Sequence, residues 1–185
     1  MLNDQESAFV LPVDFCCTIV TNQTLLSNIY SVKIAISPHE ESDENIGLGF
    51  QKIRSIVDHS INNGVLISDD NGLLPALASL ENPLIVLPCD PYDFYLGSIL
   101  LAKFIQVTGK YFDIDCLSIS SILGHQIQYN VYDPEECGLD LTGETWWNAD
   151  DMSTDLSNPI SWDDIQLTDP QPFTPMVVKG GLSEN

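Results

Sequence analysis

The chain has 185 residues, of which 44% are hydrophobic, and its 27 acidic against six basic side chains give a formal net charge of −21. Because the apolar fraction is ordinary for a folded protein, the composition excludes a chain that is disordered throughout. The charge opposes binding to nucleic acid or to anionic membranes and favours a basic protein as partner, although solubility alone is an equally open explanation.

The N-terminus and the cysteines bear on location. The first six residues, MLNDQE, have no positive region followed by a long apolar run, so no secretory signal is predicted. The longest apolar runs, at 84–87 and 99–102, are too short to span a bilayer. The five cysteines, at positions 16, 17, 89, 116 and 137, are odd in number and lack a disulfide-like spacing. They predict free thiols in a reducing cytoplasm.

Two strands are predicted near the N-terminus. Residues 9–20 are rich in β-branched and aromatic side chains, which favour strands. Residues 29–36 alternate between apolar and polar side chains, as in a strand with one buried face. The residues between them, 21–28, are mostly polar and predict a loop, so the two strands form a hairpin.

A helix is predicted next, because apolar residues recur at steps of three and four: Ile46, Phe50, Ile53, Val57 and Ile61. Ser42 or Asp43 is the predicted N-cap. Asn63-Gly64 is the predicted end, with Gly64 in the left-handed conformation. Within the helix, Gly47-Leu48-Gly49 lacks the third glycine of a dinucleotide-binding motif, and we interpret it as close packing against a sheet.

The central residues predict short strands at 65–68 and 84–87, with a short helix over 73–80 between them. A second long helix is predicted from Asp90, as N-cap, with Pro91 in the first turn, to Gly109. Its predicted apolar stripe is Phe94, Gly97, Leu101, Phe104 and Ile105.

Residues 112–121 and 125–132 alternate around Leu123-Gly124 and predict a second hairpin. Hairpins at both ends with helices between them indicate an α+β fold. We expect a two-layer sandwich of a mixed or antiparallel sheet with two main helices on one face. The predicted domain is 1–132, which is long enough to fold alone.

The remaining residues, 133–185, form the segment called the arm here. The arm has all three tryptophans, twelve acidic residues and only one basic residue, and five prolines exclude a long helix. Dense charge resists burial, whereas large aromatic side chains favour it. A segment with both is expected to be extended or locally helical and to lie along another surface.

No catalytic, cofactor or metal site is predicted. His39, His59 and His125 are dispersed, and no nucleophile stands in a recognisable motif. Cys16 and Cys17 are adjacent in a strand, so their side chains point in opposite directions, and no zinc-type ligand spacing occurs. The sequence therefore favours a protein without enzymatic activity.

We expect an acidic interaction protein whose arm docks on a basic protein. If that partner handles nucleic acid, docking would inhibit or regulate it. The expected partner-binding residues are Trp146, Trp147, Asp150, Asp151, Trp162, Asp163, Asp164 and Phe173. The alternative is a structural or assembly subunit whose arm wraps a neighbouring subunit or its own domain. A small, acidic, motif-poor chain is also compatible with a viral or phage origin.

Overall fold

The structure, a computed structural model, describes residues 9–39, 43–79 and 82–164. The strands are Phe9–Thr21 (β1), Thr24–Pro38 (β2), Val65–Ser68 (β3), Leu84–Leu87 (β4), Phe112–Ser121 (β5) and Tyr129–Val131 (β6). The helices are Asp43–Ile56 (α1), Leu74–Leu77 (α2) and Asp93–Thr108 (α3). The predicted order of elements along the chain is confirmed.

The six strands form one mixed sheet in the order β4-β3-β1-β2-β5-β6. The pairs β1–β3 and β3–β4 are parallel, whereas β1–β2, β2–β5 and β5–β6 are antiparallel. Alternate residues of β1, β2 and β5 enter one main core with α1 and α3. The α+β class, with a mixed sheet and the two long helices against one face, is therefore confirmed.

The first hairpin is longer than the sequence predicts. β1 and β2 stay paired up to Thr21 opposite Thr24, so the turn consists of Asn22 and Gln23 alone. Their φ angles are 45° and 65°, the left-handed pair that matches the twist of a tight hairpin. The polar residues predicted as a loop over 21–28 mostly belong to the paired strands, because a two-residue turn needs no longer connection.

The first helix is confirmed, and its last turn widens into a π-helical turn, Val57–Ile61. The left-handed residue after it is Asn63, with φ 61°, so the prediction for Gly64 is wrong. Gly64 is needed for a different reason. A Cβ at this position would lie 2.8 Å from both the Ile61 carbonyl oxygen and Ile85 Cδ1. Its role is close packing of the connection against β4.

Helix α3 starts at Asp93, three residues after the predicted cap, and Tyr92 occupies the N-cap position without a side-chain hydrogen bond. The helix is buried over most of its circumference, although Ile105, expected in its apolar stripe, is exposed. α3 therefore packs against the sheet on one side and against further chain on the other.

A second, smaller core lies at the β3–β4 end of the sheet. Val20, Val65 and Ile67 pack there with leucines of α2. Leu66 belongs to the main core, so strand alternation places its neighbours on the opposite face of the sheet. Over the described ranges, no helix has both the length and the apolar character that a membrane crossing requires.

We expect Gly49→Ala to destabilise the protein by about 1–3 kcal/mol, because the added methyl group would overlap the Phe112 ring of β5. Gly72→Ala is the matched control, since a Cβ there meets nothing within 4 Å. Urea denaturation followed by circular dichroism measures both. Equal stability of the two variants would show that the close α1–β5 packing is wrong.

Candidate interaction site

The described part of the arm, 133–164, lies along the side of α3 that faces away from the sheet. It has three single 3₁₀ turns, Pro134–Cys137, Trp146–Asn148 and Trp162–Asp164, of which the first two contact α3. The first turn begins where the Asp133 carboxylate accepts a hydrogen bond from the Glu135 N–H at 2.9 Å. It ends at Gly138, whose φ of 71° favours glycine. The described part of the arm thus consists of single helical turns joined by irregular chain.

Trp146 and Trp147 are buried in the domain's own core, with 5% and 6% of their surface exposed. Their rings meet edge to face at 5.5 Å. Each indole N–H has a carbonyl partner at 3.0 Å, Val86 of β4 for Trp146 and Leu141 of the arm for Trp147. Both tryptophans therefore hold the arm against the sheet and α3 in this structure.

Lys103 of α3 is fully buried under the arm. Its ammonium group donates to the carbonyl oxygens of Trp146 and Ala149, both at 2.8 Å, and lies 3.4 Å from an Asp151 carboxylate oxygen. Burial lowers the pKa of Lys103 to about 8, although the Asp151 charge opposes this change. A buried ammonium group must be hydrogen-bonded on every side, so Lys103 fixes the path of the arm at three points.

Lys52 of α1 makes a second connection at the edge of the same contact. Its ammonium nitrogen lies 3.9 Å from an Asp150 carboxylate oxygen and 3.9 Å from the centre of the Trp162 ring, a cation–π contact. Burial lowers the pKa of Lys52, and the Asp150 charge opposes this. Trp162 is held in place by its indole N–H, which donates to the Asp150 carbonyl oxygen at 3.2 Å.

The π-helical turn supplies a third connection. The Ser60 hydroxyl donates to the Met152 carbonyl oxygen at 2.6 Å, and the Thr154 hydroxyl donates to the Ser60 carbonyl oxygen at 3.3 Å. All three residues are buried. A widened turn exposes backbone groups that a regular helix would use internally, and here the arm binds one of them.

The structure brings together five of the eight residues expected to bind a partner: Trp146, Trp147, Asp150, Asp151 and Trp162. Asp163 is exposed and its N–H bonds to the Ser161 hydroxyl. The backbone of Asp164 ends the last 3₁₀ turn, while its side chain and all of Phe173 lie outside the described residues. Their docking on a partner stays a prediction.

The sequence-based predictions include neither of these two lysines. A signal was present for Lys103. It lies three residues after Leu100 and four before Val107, at the spacing that places all three on one buried side of α3. Lys52 lies three residues after Gly49 and four before Ile56, also on a buried side. A lysine on an apolar stripe indicates a polar partner elsewhere in the chain.

The histidines and cysteines make other contacts. Cys137 lies in the first 3₁₀ turn of the arm, where its thiol donates to the Pro134 carbonyl oxygen. His39 is 3.2 Å from an Asp113 oxygen, and His59 Nδ1 is 2.9 Å from the Ser55 carbonyl oxygen. Cys17 is buried and Cys16 lies on the other face of β1. Across 9–39, 43–79 and 82–164, no three His, Cys, Asp or Glu side chains are placed to share a metal ion.

No protein-family model matches this chain, and no curated protein is similar to it in sequence. Among solved structures, the chain is similar to an uncharacterized protein, WS1659, from Wolinella succinogenes, with a TM-score of 0.51 and 12% sequence identity. The similarity covers 68% of this chain and 97% of that one. At this identity it concerns the fold alone.

We expect Lys103 to make stability increase with pH above neutrality. Between its folded pKa of about 8 and its unfolded value of 10.5, the unfolded state binds the extra proton, so raising the pH favours the folded state. The increase is roughly 1 kcal/mol between about pH 7 and about pH 9. Urea denaturation over this range measures it.

Lys103→Met is the control for this measurement. Burial raises the pKa of Cys17 to about 12 and that of Cys89 to about 11, and both oppose the increase as the pH approaches 9. The variant keeps both cysteines, so the difference between the two proteins isolates the lysine. Parallel curves would show that Lys103 is not buried as described.

We expect a truncation after Tyr132 to unfold at much lower urea concentration than the full chain, because it uncovers α3 and leaves the Lys103 ammonium without partners. In that case, the boundary predicted at residue 132 would mark a change in amino-acid composition and would not separate two independently folding units. A truncation after Asp164 is the matched control, since it keeps every contact described above. Equal midpoints for both truncations would show that residues 1–132 fold independently.

Proposed function

We propose that this chain is a non-enzymatic, acidic interaction protein that docks on a basic protein surface. The observation that carries the proposal is the division of the arm into two sides. Its tryptophans, with Leu141 and Met152, face the core. Apart from Asp150, its exposed carboxylates face away from it: Asp133, Glu135, Glu136, Asp140, Glu144, Asp155 and Asp163. Residues 133–164 contain no lysine or arginine to neutralise them.

The anchoring of the arm supports docking because it orders the carboxylates in advance. An interaction that must order a flexible tail loses free energy to conformational entropy, whereas a preorganised surface does not. Lys52, Lys103 and the two buried tryptophans fix the backbone that carries the acids. In this proposal the tryptophans position the arm, and the carboxylates contact the partner.

The partner that fits this surface is a protein with a cluster of lysine and arginine side chains. Such clusters are typical of nucleic-acid-binding surfaces, where they neutralise phosphates. By covering one, the acidic arm would inhibit or regulate a nucleic-acid-handling protein. We also propose a cytoplasmic location, which the five free thiols support.

The alternative is a structural or assembly subunit, and one observation favours it. The first residues of β2 and the loop after β5 carry exposed apolar side chains at one end of the sheet: Leu25, Leu26, Ile29, Ile122, Leu123 and Ile127. Exposed apolar surface is typical of protein–protein contacts. A stable homo-oligomer in light scattering, insensitive to salt, would favour this alternative over a basic partner.

We expect partner capture from a lysate of the source organism to be strong at low ionic strength and to weaken at least tenfold at high ionic strength, because exposed charges are screened. The test variant neutralises four acids of the arm: Asp133→Asn, Glu135→Gln, Glu136→Gln and Asp140→Asn. It should lose most of the capture at low salt.

The matched control neutralises four exposed acids elsewhere: Asp14→Asn, Asp58→Asn, Asp69→Asn and Asp90→Asn. It has the same net charge as the test variant and should retain capture. If both variants lose capture equally, the partner responds to net charge and not to the arm. If no basic protein is captured at low salt, the proposal is wrong.

A further inference from the structure

A cavity of about 590 Å³ lies at the end of the molecule where α3 begins. The end of β1, the beginning of β2, the residues around the start of α3 and the residues that follow β5 line it. Its wall is mostly aromatic and aliphatic, with Leu26, Tyr92, Phe94, Leu123 and Tyr129 among the lining side chains. A cavity of this size is large enough to receive a long side chain.

One of the lining residues, Asp93, is a buried carboxylate, with 8% of its surface exposed. The Ser121 hydroxyl donates to its two oxygens at 2.8 Å. Gly124 leaves room beside it, because a Cβ there would overlap an Asp93 oxygen. Burial raises the pKa of Asp93, and the Ser121 hydrogen bonds partly offset this.

The positive charge that balances Asp93 is missing from the described part of the chain. The ion pairs found there involve Asp113, Asp150 and Asp151, and none involves Asp93. Asp93 is the first residue of α3, so the helix dipole favours it. That dipole is equivalent to roughly half a unit charge, which leaves the carboxylate only partly balanced.

Aromatic rings surround the mouth of the cavity. Phe94 and Tyr129 lie 6.1 Å apart between ring centres, and Tyr92 and Tyr95 lie 6.3 Å apart. Tyr92 is 61% exposed, so part of its ring faces solvent. The negative face of an aromatic ring attracts a cation, and arginine in particular stacks on tyrosine.

We propose that this cavity receives an arginine side chain of the basic partner, with the guanidinium group bound to Asp93 and stacked against the tyrosines. The inference rests on the proposed function and adds the place where the partner is recognised. Arginine fits better than lysine, since its planar guanidinium group pairs with a carboxylate and an aromatic ring together. The acidic arm attracts the partner from a distance, and the cavity fixes its position.

The exposed apolar residues beside the cavity complete this interface. Leu26, near the start of β2, and Leu123, in the loop after β5, line the cavity and are themselves exposed. Energetically important contacts in interfaces are typically central pockets surrounded by apolar residues that exclude water. A guanidinium group covered in this way would gain strength from the lower local dielectric constant.

The test uses the full-length chain and two peptides, acetyl-Leu-Arg-Leu-amide and its uncharged counterpart with citrulline in place of arginine. Amide chemical shifts of the ¹⁵N-labelled protein report where each peptide binds. The arginine peptide should shift Leu123, Gly124 and Tyr129 and leave the Trp162 indole unchanged. The citrulline peptide should bind at least tenfold more weakly.

Asp93→Asn should weaken arginine-peptide binding at least tenfold, because it removes the charge and still accepts a hydrogen bond from Ser121. Asp58→Asn is the matched control, since it removes the same charge from an exposed position outside both the arm and the cavity and should leave binding unchanged. Tyr129→Ala, at a residue 37% exposed and outside the buried core, tests the aromatic wall independently and should weaken binding severalfold. Far-ultraviolet circular dichroism checks that every variant is folded.

Equal binding of the arginine and citrulline peptides, or equal loss in Asp93→Asn and Asp58→Asn, would overturn the cavity as a cation site. Dimerisation through the apolar rim with no peptide binding would overturn it as well. The proposed function can still hold in that case, since salt-sensitive capture by the arm depends on different residues. Conversely, if the arginine peptide binds but no basic protein is captured, the cation site in the cavity would stand and the proposed basic partner would be rejected.

Discussion

The burial of the Lys103 ammonium group is the constraint on which the arrangement of this molecule depends. An ammonium group moved from water into a protein interior loses several kcal/mol of solvation unless hydrogen bonds replace it. The sheet and the helices provide no carbonyl or carboxylate oxygen for Lys103, whereas residues 146–151 of the arm provide three. The described part of the arm is therefore a structural part of the core, and it packs against both α3 and the sheet.

The fold could be predicted from the sequence because most of its elements are specified locally. The apolar periodicity of α1 and the alternation in β1, β2 and β5 are visible within a dozen residues. The two errors in the predicted loops occur where the backbone conformation of one or two residues determines the course of the chain. Asn22 and Gln23 form a tight turn inside a polar run, and Asn63 adopts the left-handed conformation expected of Gly64. Asparagine tolerates positive φ, so the sequence alone does not say which residue of Asn63-Gly64 uses it.

The site could be predicted only in part, because its contacts join residues far apart in sequence. Composition singled out Trp146, Trp147 and Trp162, but it could not say which part of which molecule they contact. Lys103 and Trp146 are separated by 43 residues, and no local pattern connects them. The one local signal of this contact was the position of Lys103 on a buried stripe of α3. This position requires a polar partner for the lysine but does not identify that partner.

A buried charged group requires hydrogen bonds and an opposite charge, and helix α3 has two such groups for which the chain meets this requirement to different degrees. Asp93 and Lys103 are ten residues apart in α3, about 15 Å along its axis. The chain itself supplies the opposite charge and the hydrogen-bonding oxygens for Lys103. For Asp93 it supplies one serine hydroxyl and a helix dipole, in a cavity that opens to solvent between tyrosines. The proposed arginine site depends on this difference, because a buried carboxylate with no opposite charge beside it is stabilised in its ionised form by a cation.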